Sequence, residues 1–108
     1  MSEAILHIDA DRYEEVVLRS DRPVVLDFYS TECPPCEALA AKFEALEAVY
    51  GRDVKFVKMY RQGNRELAQS LGVTSSPTLL FYRDGAATGD RLSGGVKRAD
   101  AERNLRAL

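Results

Sequence analysis

The chain has no tryptophan, a single histidine and only two cysteines in 108 residues. That is too few Cys and His ligands for a tetrahedral zinc site built within one chain; only a site shared between two chains stays open. Charge of one sign is also lacking: 15 Lys and Arg stand against 17 Asp and Glu, for a formal net charge of -2. Nothing electrostatic therefore recommends nucleic acid or an anionic membrane as a partner. No apolar run nears the roughly 18 residues of a membrane helix. The N-terminal stretch carries Glu3, Asp9, Asp11, Arg12, Glu14 and Glu15 and no signal-peptide core, so a cytoplasmic protein is expected. Linkers, repeats and low-complexity segments are missing too. With 45% hydrophobic and 30% charged residues, the chain reads as one globular domain spanning residues 1–108.

The two cysteines are set as Cys33-Pro34-Pro35-Cys36, where an apolar strand is predicted to run into an amphipathic helix. Residues i and i+3 on a first helical turn lie within the roughly 4.4 to 6.8 Å between Cα atoms that a disulfide needs, so the ring can open and close without moving the fold. Cys33 is predicted at the helix N-cap, where unpaired N–H groups and the positive end of the macrodipole favour an anion. Thiols in such settings have pKa values lowered from about 8.5 to roughly 3.5–7.5. Cys33 is the candidate nucleophile; Cys36, one turn further on the apolar face, is the candidate resolving thiol. A buried structural pair fits less well, because two prolines suit a helix start better than a core. In a reducing compartment a cysteine pair is also more often catalytic than structural.

Ile5 to Ile8 reads as a short strand, and Asp11 with Glu14 has the capping-box form ahead of Tyr13, Val16 and Val17. His7 is read as a surface or packing residue. Val24 to Tyr29 is a nearly continuous apolar run of the kind found in a strand covered on both faces, and Asp27 interrupts it. Either Asp27 points to solvent from a one-sided strand, or it lies beneath the thiols as a carboxylate with a raised pKa, suited to take the proton of Cys36. Leu39, Ala40, Phe43, Leu46, Val49 and Tyr50 follow a helical period that Gly51 ends. Val54 to Tyr60 is the next strand; Asn64 is placed to cap a third helix ended by Gly72. Thr78 to Tyr82 and Ala86 to Leu92 flank Asp84-Gly85, a hairpin signal. After Gly94-Gly95 comes a last helix with Ala101, Leu105 and Leu108 on one face. The alternation of strands and helices argues for an α/β sheet with parallel strands.

With these elements placed, the whole chain resembles the thioredoxin family. The resemblance rests on the element order, the Asp27-Phe28 strand, the C-x-P-C helix start, Lys58 on the next strand, Ser76-Pro77 before a strand and Gly94 after the hairpin. It implies a thioredoxin fold, a single central mixed β-sheet flanked by helices, and a thiol-disulfide oxidoreductase that reduces protein disulfides. By resemblance Cys33 attacks, Cys36 resolves, Asp27 is the buried acid and Lys58 its neighbour. Pro77 would be a cis-proline facing the cysteines and leaving the Ser76 backbone free for an extended substrate, with Pro34, Pro35 and Gly94 around it. No bound cofactor is implied. The implied partners are disulfide-containing proteins and a reductase as electron donor, thioredoxin reductase or an alternative, with the chain a monomer. An oxidising or isomerising member of the fold, and a non-enzymatic binding module, are the competing readings.

The chain departs from the family pattern at Glu32, where Trp is usual, at Pro34, where Gly is usual, at Glu37, often basic, and at Ala41, often proline. An exposed Glu32 about 4 Å from a thiolate repels it by only about 1 kcal/mol in water, so Cys33 is still expected to be more acidic than a free thiol. Pro34 removes an N–H, leaving two successive residues without donors, and a stiffer turn is expected. Replacing the helix proline with Ala41 predicts less of a kink. Glu32, Arg61, Ser75, Ser76 and Ser93 make the expected docking face polar, which suggests a narrower partner set.

Overall fold

The computed structural model describes residues 4–108. Strands Ile5–His7 (β1), Val24–Tyr29 (β2), Lys55–Tyr60 (β3), Thr78–Arg83 (β4) and Ala86–Ser93 (β5) form one sheet in the order β1-β3-β2-β4-β5. β1 and β2 run parallel to β3, while β4 is antiparallel to β2 and to β5. Pro34–Tyr50 (α1), Arg65–Ser70 (α2) and Arg98–Arg106 (α3) complete the fold. The mixed sheet flanked by helices is the architecture expected from the alternating pattern.

Side-chain alternation along β2 divides the core into two layers. Val25 joins Phe56 of β3, Leu79 and Phe81 of β4, Leu39, Phe43 and Leu46 of α1, and Ala101 and Leu105 of α3. Val24, Leu26 and Phe28 join Val57, Met59, Leu80 and Tyr82 against Val16, Val17, Ala68 and Val73. Both faces of β2 are thus covered, as its unbroken apolar run requires. Asp27 has the parity of Val25, which directs it into the layer beneath α1. That resolves the two readings of Asp27 in favour of burial: it is 1% exposed.

Several local expectations are corrected. The segment after β1 is not one capped helix but a 3-10 turn, Ala10–Arg12, followed by a π-type turn, Glu14–Leu18. Asp11 lies inside the first turn, so the Asp11–Glu14 capping box does not form. Asn64 stands at the start of α2 but makes no side-chain cap there; its Oδ1 instead accepts from the Ala10 N–H at 2.8 Å, and its amide nitrogen donates to Asp9 Oδ1 and to the Tyr60 carbonyl. Val49 follows the helical period yet is 61% exposed, because the stripe of α1 that meets the core is Leu39, Phe43, Leu46 and the partly buried Tyr50, and Val49 lies at its flank. Asp84 and Gly85, both at positive φ (52° and 79°), make the hairpin turn, a conformation suited to the twist of the flanking strands. α1 runs as one helix through Ala41 to Tyr50.

Candidate active site

Cys33 is the N-cap of α1, in extended conformation, with Pro34 and Pro35 as the first two helical residues. Prolines are tolerated there because those N–H groups would have no partner within the helix. The first amide available is that of Cys36, and it points back at Cys33 Sγ from 3.3 Å. The next, of Glu37, is taken by the Cys33 carbonyl at 3.0 Å. The two prolines thus strip the helix start to one spare donor and aim it at the sulfur. Cys33 and Cys36 are joined in a disulfide with 5.2 Å between Cα atoms, within the range expected for the spacing. The two sulfurs are not equivalent: Cys33 is half-buried and Cys36 is 7% exposed.

Asp27 is flanked in register by Lys58 on β3 and Leu79 on β4. Its Oδ1 is buried without a hydrogen-bond partner among the described residues. Desolvation by that burial pushes its pKa up from 3.8 to about 7, against the opposing pull of the Lys58 ammonium. Lys58 is half-buried, with its Nζ 4.7 Å from the centre of the Tyr29 ring. Lys58, Tyr29, Ser30, Cys36, Glu37 and Ala40 line one cleft of about 140 Å³. This cleft gives water a route to the lysine and to Cys36, beneath the exposed rim of α1.

The Ser76-Pro77 bond is cis. It brings the Ser76 carbonyl to 3.6 Å from Cys33 Sγ, where a reduced Cys33 thiol can donate to it. The N–H of Gly94 donates to the Pro77 carbonyl at 3.1 Å, and Gly94 has φ 74°, so this glycine supports the proline loop from the β5 side. Cys33, Cys36, Ser76, Pro77 and Gly94 are therefore brought together, and Lys58, in register with Asp27, shares a cleft with Cys36. His7 lies on exposed β1 with its ring 6.4 Å from that of Tyr29. No group of three or more potential metal-binding side chains occurs among the described residues.

The sequence model of the family described as thioredoxin matches residues 4–107. The chain belongs to the thioredoxin family. It is 40% identical over 85 residues to a thioredoxin of Haemophilus influenzae, an alignment covering 79% of this chain and 78% of that one. Thioredoxin 1 of Synechococcus elongatus is 32% identical over 105 residues, 97% of this chain and 96% of its own. Among solved structures, the thioredoxin of Malassezia sympodialis superposes with a TM-score of 0.84 at 26% identity, covering 95% of this chain and 89% of that one. The chain is a thiol-disulfide oxidoreductase of the protein-disulfide reductase type. Like the family in general, it acts on disulfide substrates and is returned to the dithiol by a reductase.

Two residues of the site had no signal in the sequence. The Ser30 hydroxyl donates to Gln62 Oε1 at 2.7 Å and shares a hydrogen bond with the Ser76 hydroxyl at 2.5 Å. Arg61 Nε donates to the same Ser76 oxygen at 2.7 Å. Ser30 and Gln62 are ordinary polar residues at strand ends, and only the sheet order brings them beside Ser76.

Proposed function

We propose that this protein works as a reductant of protein disulfides in a reducing compartment, the cytoplasm, with Cys33 as attacking and Cys36 as resolving thiol. The observation that carries the reading is the asymmetry of the pair: the half-buried sulfur receives the one free N–H of the helix start, while the buried Cys36 shares a cleft with Lys58, the residue in register with Asp27. The Cys33 thiolate attacks one sulfur of the substrate disulfide, forming a mixed disulfide and expelling the other sulfur as a thiolate, which takes a proton. Cys36, its proton passed to the Asp27 carboxylate, then attacks Cys33 Sγ. The second substrate thiolate leaves, and two electrons have moved from the dithiol to the substrate. Lys58 holds down the pKa of Asp27, so that part of the Asp27 population is ionised and able to accept a proton near neutral pH.

An extended substrate segment fits against the Ser76 backbone, between the Pro77-Gly94 loop and the rim formed by Pro34 and Pro35. Glu32, Ser75 and Ser93 are exposed on that face, which supports a partner set different from that of a thioredoxin with an apolar rim. The electron donor is then a reductase adapted to this face, or a conventional thioredoxin reductase at reduced efficiency.

The test is to follow disulfide reduction by the wild type, Cys33→Ser and Cys36→Ser. Cys33→Ser is expected to be inactive, and Cys36→Ser to stop at the mixed disulfide. An activity other than disulfide reduction that survives Cys33→Ser would support a binding module. A reduction potential near about -270 mV marks a reductant, and one of about -180 to -120 mV an isomerase or oxidant.

A further inference from the structure

Arg61 and Arg65 border a second cleft, of about 260 Å³, floored by Ala68 and Val73. It opens one residue away from the reacting sulfur, because the guanidinium of Arg61 bonds the Ser76 side chain and the Ser76 carbonyl lies against Cys33 Sγ. Nε is the only guanidinium atom of Arg61 held by a neighbour among the described residues, and the head of Arg65 is held by none. Elsewhere the chain treats its arginines differently: Arg98 and Arg106 sit against Glu102, and Arg103 against Asp100. No carboxylate lines this cleft among the described residues. Two guanidinium groups, the half-buried Arg61 and the exposed Arg65, that line one cleft beside the Ser76 loop are a receptor for a carboxylate, whose two oxygens match their geometry.

We propose that the Arg61–Arg65 cleft selects protein disulfides that carry an Asp or Glu side chain next to the attacked cysteine. The proposal rests on Cys33 as the attacking thiol and on Ser76 as the residue along which the substrate lies. The preference is local and depends on position. The chain as a whole is at -2, and Glu32 next to Cys33 repels an anion placed on its side, so no general attraction of acidic proteins is involved.

The experiment mixes the fully reduced full-length protein, in stopped flow, with peptide disulfides that differ only in Glu, Gln or Lys at the residues on either side of the cysteine. At one of these positions Glu is expected to react about fivefold faster than Gln, the equivalent of about 1 kcal/mol for a solvent-exposed charge pair, with Lys slower than both. The ratio should fall toward one in 1 M salt, where the screening length is about 3 Å, and in the Arg61→Gln/Arg65→Gln double variant. Arg65→Gln alone should lower the ratio without disturbing Ser76, separating lost charge from a displaced docking residue. Equal rates for Glu and Gln at every position, or a preference for Glu that survives in the double variant, would overturn the proposal. A faster reaction with glutathione disulfide, which carries its own carboxylates, would overturn the commitment to a peptide substrate. Failure of the reduced protein to react with any disulfide is a different result and would sink the dithiol reading itself.

Discussion

Asp27 and Asn64 are both buried polar side chains, yet the fold treats them in opposite ways. Asn64 spends its amide on three partners: it accepts from Ala10 and donates to Asp9 and Tyr60, tying the N-terminal turns to the start of α2. Asn104 is similarly occupied, accepting from the Asp90 N–H and donating to the Asp100 carbonyl. Asp27, 1% exposed, has an oxygen with no partner at all among the described residues. Burying a polar group without a hydrogen bond is costly, so the contrast separates structure from chemistry. Where a polar group holds the fold together its bonds are complete, and where the proposed mechanism has a proton taken up and given back they are left open.

Replacing each group should therefore move stability in opposite directions. The largest effect is expected for Asp27→Asn. With its pKa raised from 3.8 to about 7, Asp27 holds a proton in the folded chain that the unfolded chain releases. Below about pH 4 both states are protonated and nothing is lost; as pH rises to about 7 stability falls, by on the order of 4 kcal/mol in total. An amide keeps its own desolvation cost, so Asp27→Asn should gain about 3 kcal/mol at pH 8 and almost nothing at pH 4, read by urea unfolding at the two pH values. The same variant should slow resolution of the mixed disulfide on the order of 100-fold. A variant more stable at pH 8 but unchanged in resolution would show that Asp27 takes no part in proton transfer.

Asn64→Leu should do the reverse, losing about 2 to 3 kcal/mol with little dependence on pH, because the Ala10 N–H and its neighbours lose their partner. Unfolding in urea at pH 5 and pH 8 checks both statements. Next in size is Lys58→Met, which removes the one charge that pulls the Asp27 pKa down. The carboxyl should then titrate above pH 7, by up to about one unit or roughly 1.4 kcal/mol, followed by NMR of the side-chain carboxyl carbon. An unchanged titration would mean that water in the cleft beside Lys58 screens the pair. The smallest effect is expected at Glu32, a non-glycine residue held at φ 50°. Glu32→Gly relieves roughly 1 to 2 kcal/mol of steric cost but restores about 0.5 to 1 kcal/mol of chain entropy to the unfolded state. The net gain of about 0.5 kcal/mol should appear as a rise in Tm of about 2 to 4 °C.

Glu32 and Asp27 together place the tolerated strain and the unmet hydrogen bond at the same end of the molecule. The opposite end of the sheet has its own non-glycine residue at positive φ, Asp84 in the hairpin turn, but its polar groups are paired: Tyr13 and Tyr82 bond through their hydroxyls at 2.8 Å, and Arg91 covers the last carbonyls of the α2 turn at Leu71 and Gly72. What sets the end with the cysteines apart is the unmet hydrogen bond of Asp27, a departure from local rules of the kind that functional sites carry.

Much of this was legible before any coordinate. The spacing of Cys33 and Cys36, the prolines between them and the helical period after them are all local, so the disulfide-bearing helix start could be read directly. β2, β4 and the Asp84-Gly85 turn were legible for the same reason, since apolar runs and turn chemistry act over a few residues. The capping box at Asp11 and Glu14 was misleading because the turn starts earlier, at Ala10, whose N–H is held by the distant Asn64 side chain, so that Asp11 lies inside the turn and not at its cap. Val49 was misleading because it lies at the flank of the stripe formed by Leu39, Phe43, Leu46 and Tyr50, and spacing alone does not say how wide a stripe the core covers.

By itself the sequence determined the dithiol pair, the order of strands and helices, and the family to which the chain belongs, because each depends on residues close together or on pattern along the chain. Whether Asp27 would be buried depended on β3 and β4 closing over it from either side, with Lys58 and Leu79 in register. The Ser30–Ser76–Arg61 group depended on residues up to 46 positions apart meeting at one end of the sheet. Those are consequences of chain crossing and strand order, which set dielectric and contact at a point in space, and only the tertiary structure decides them.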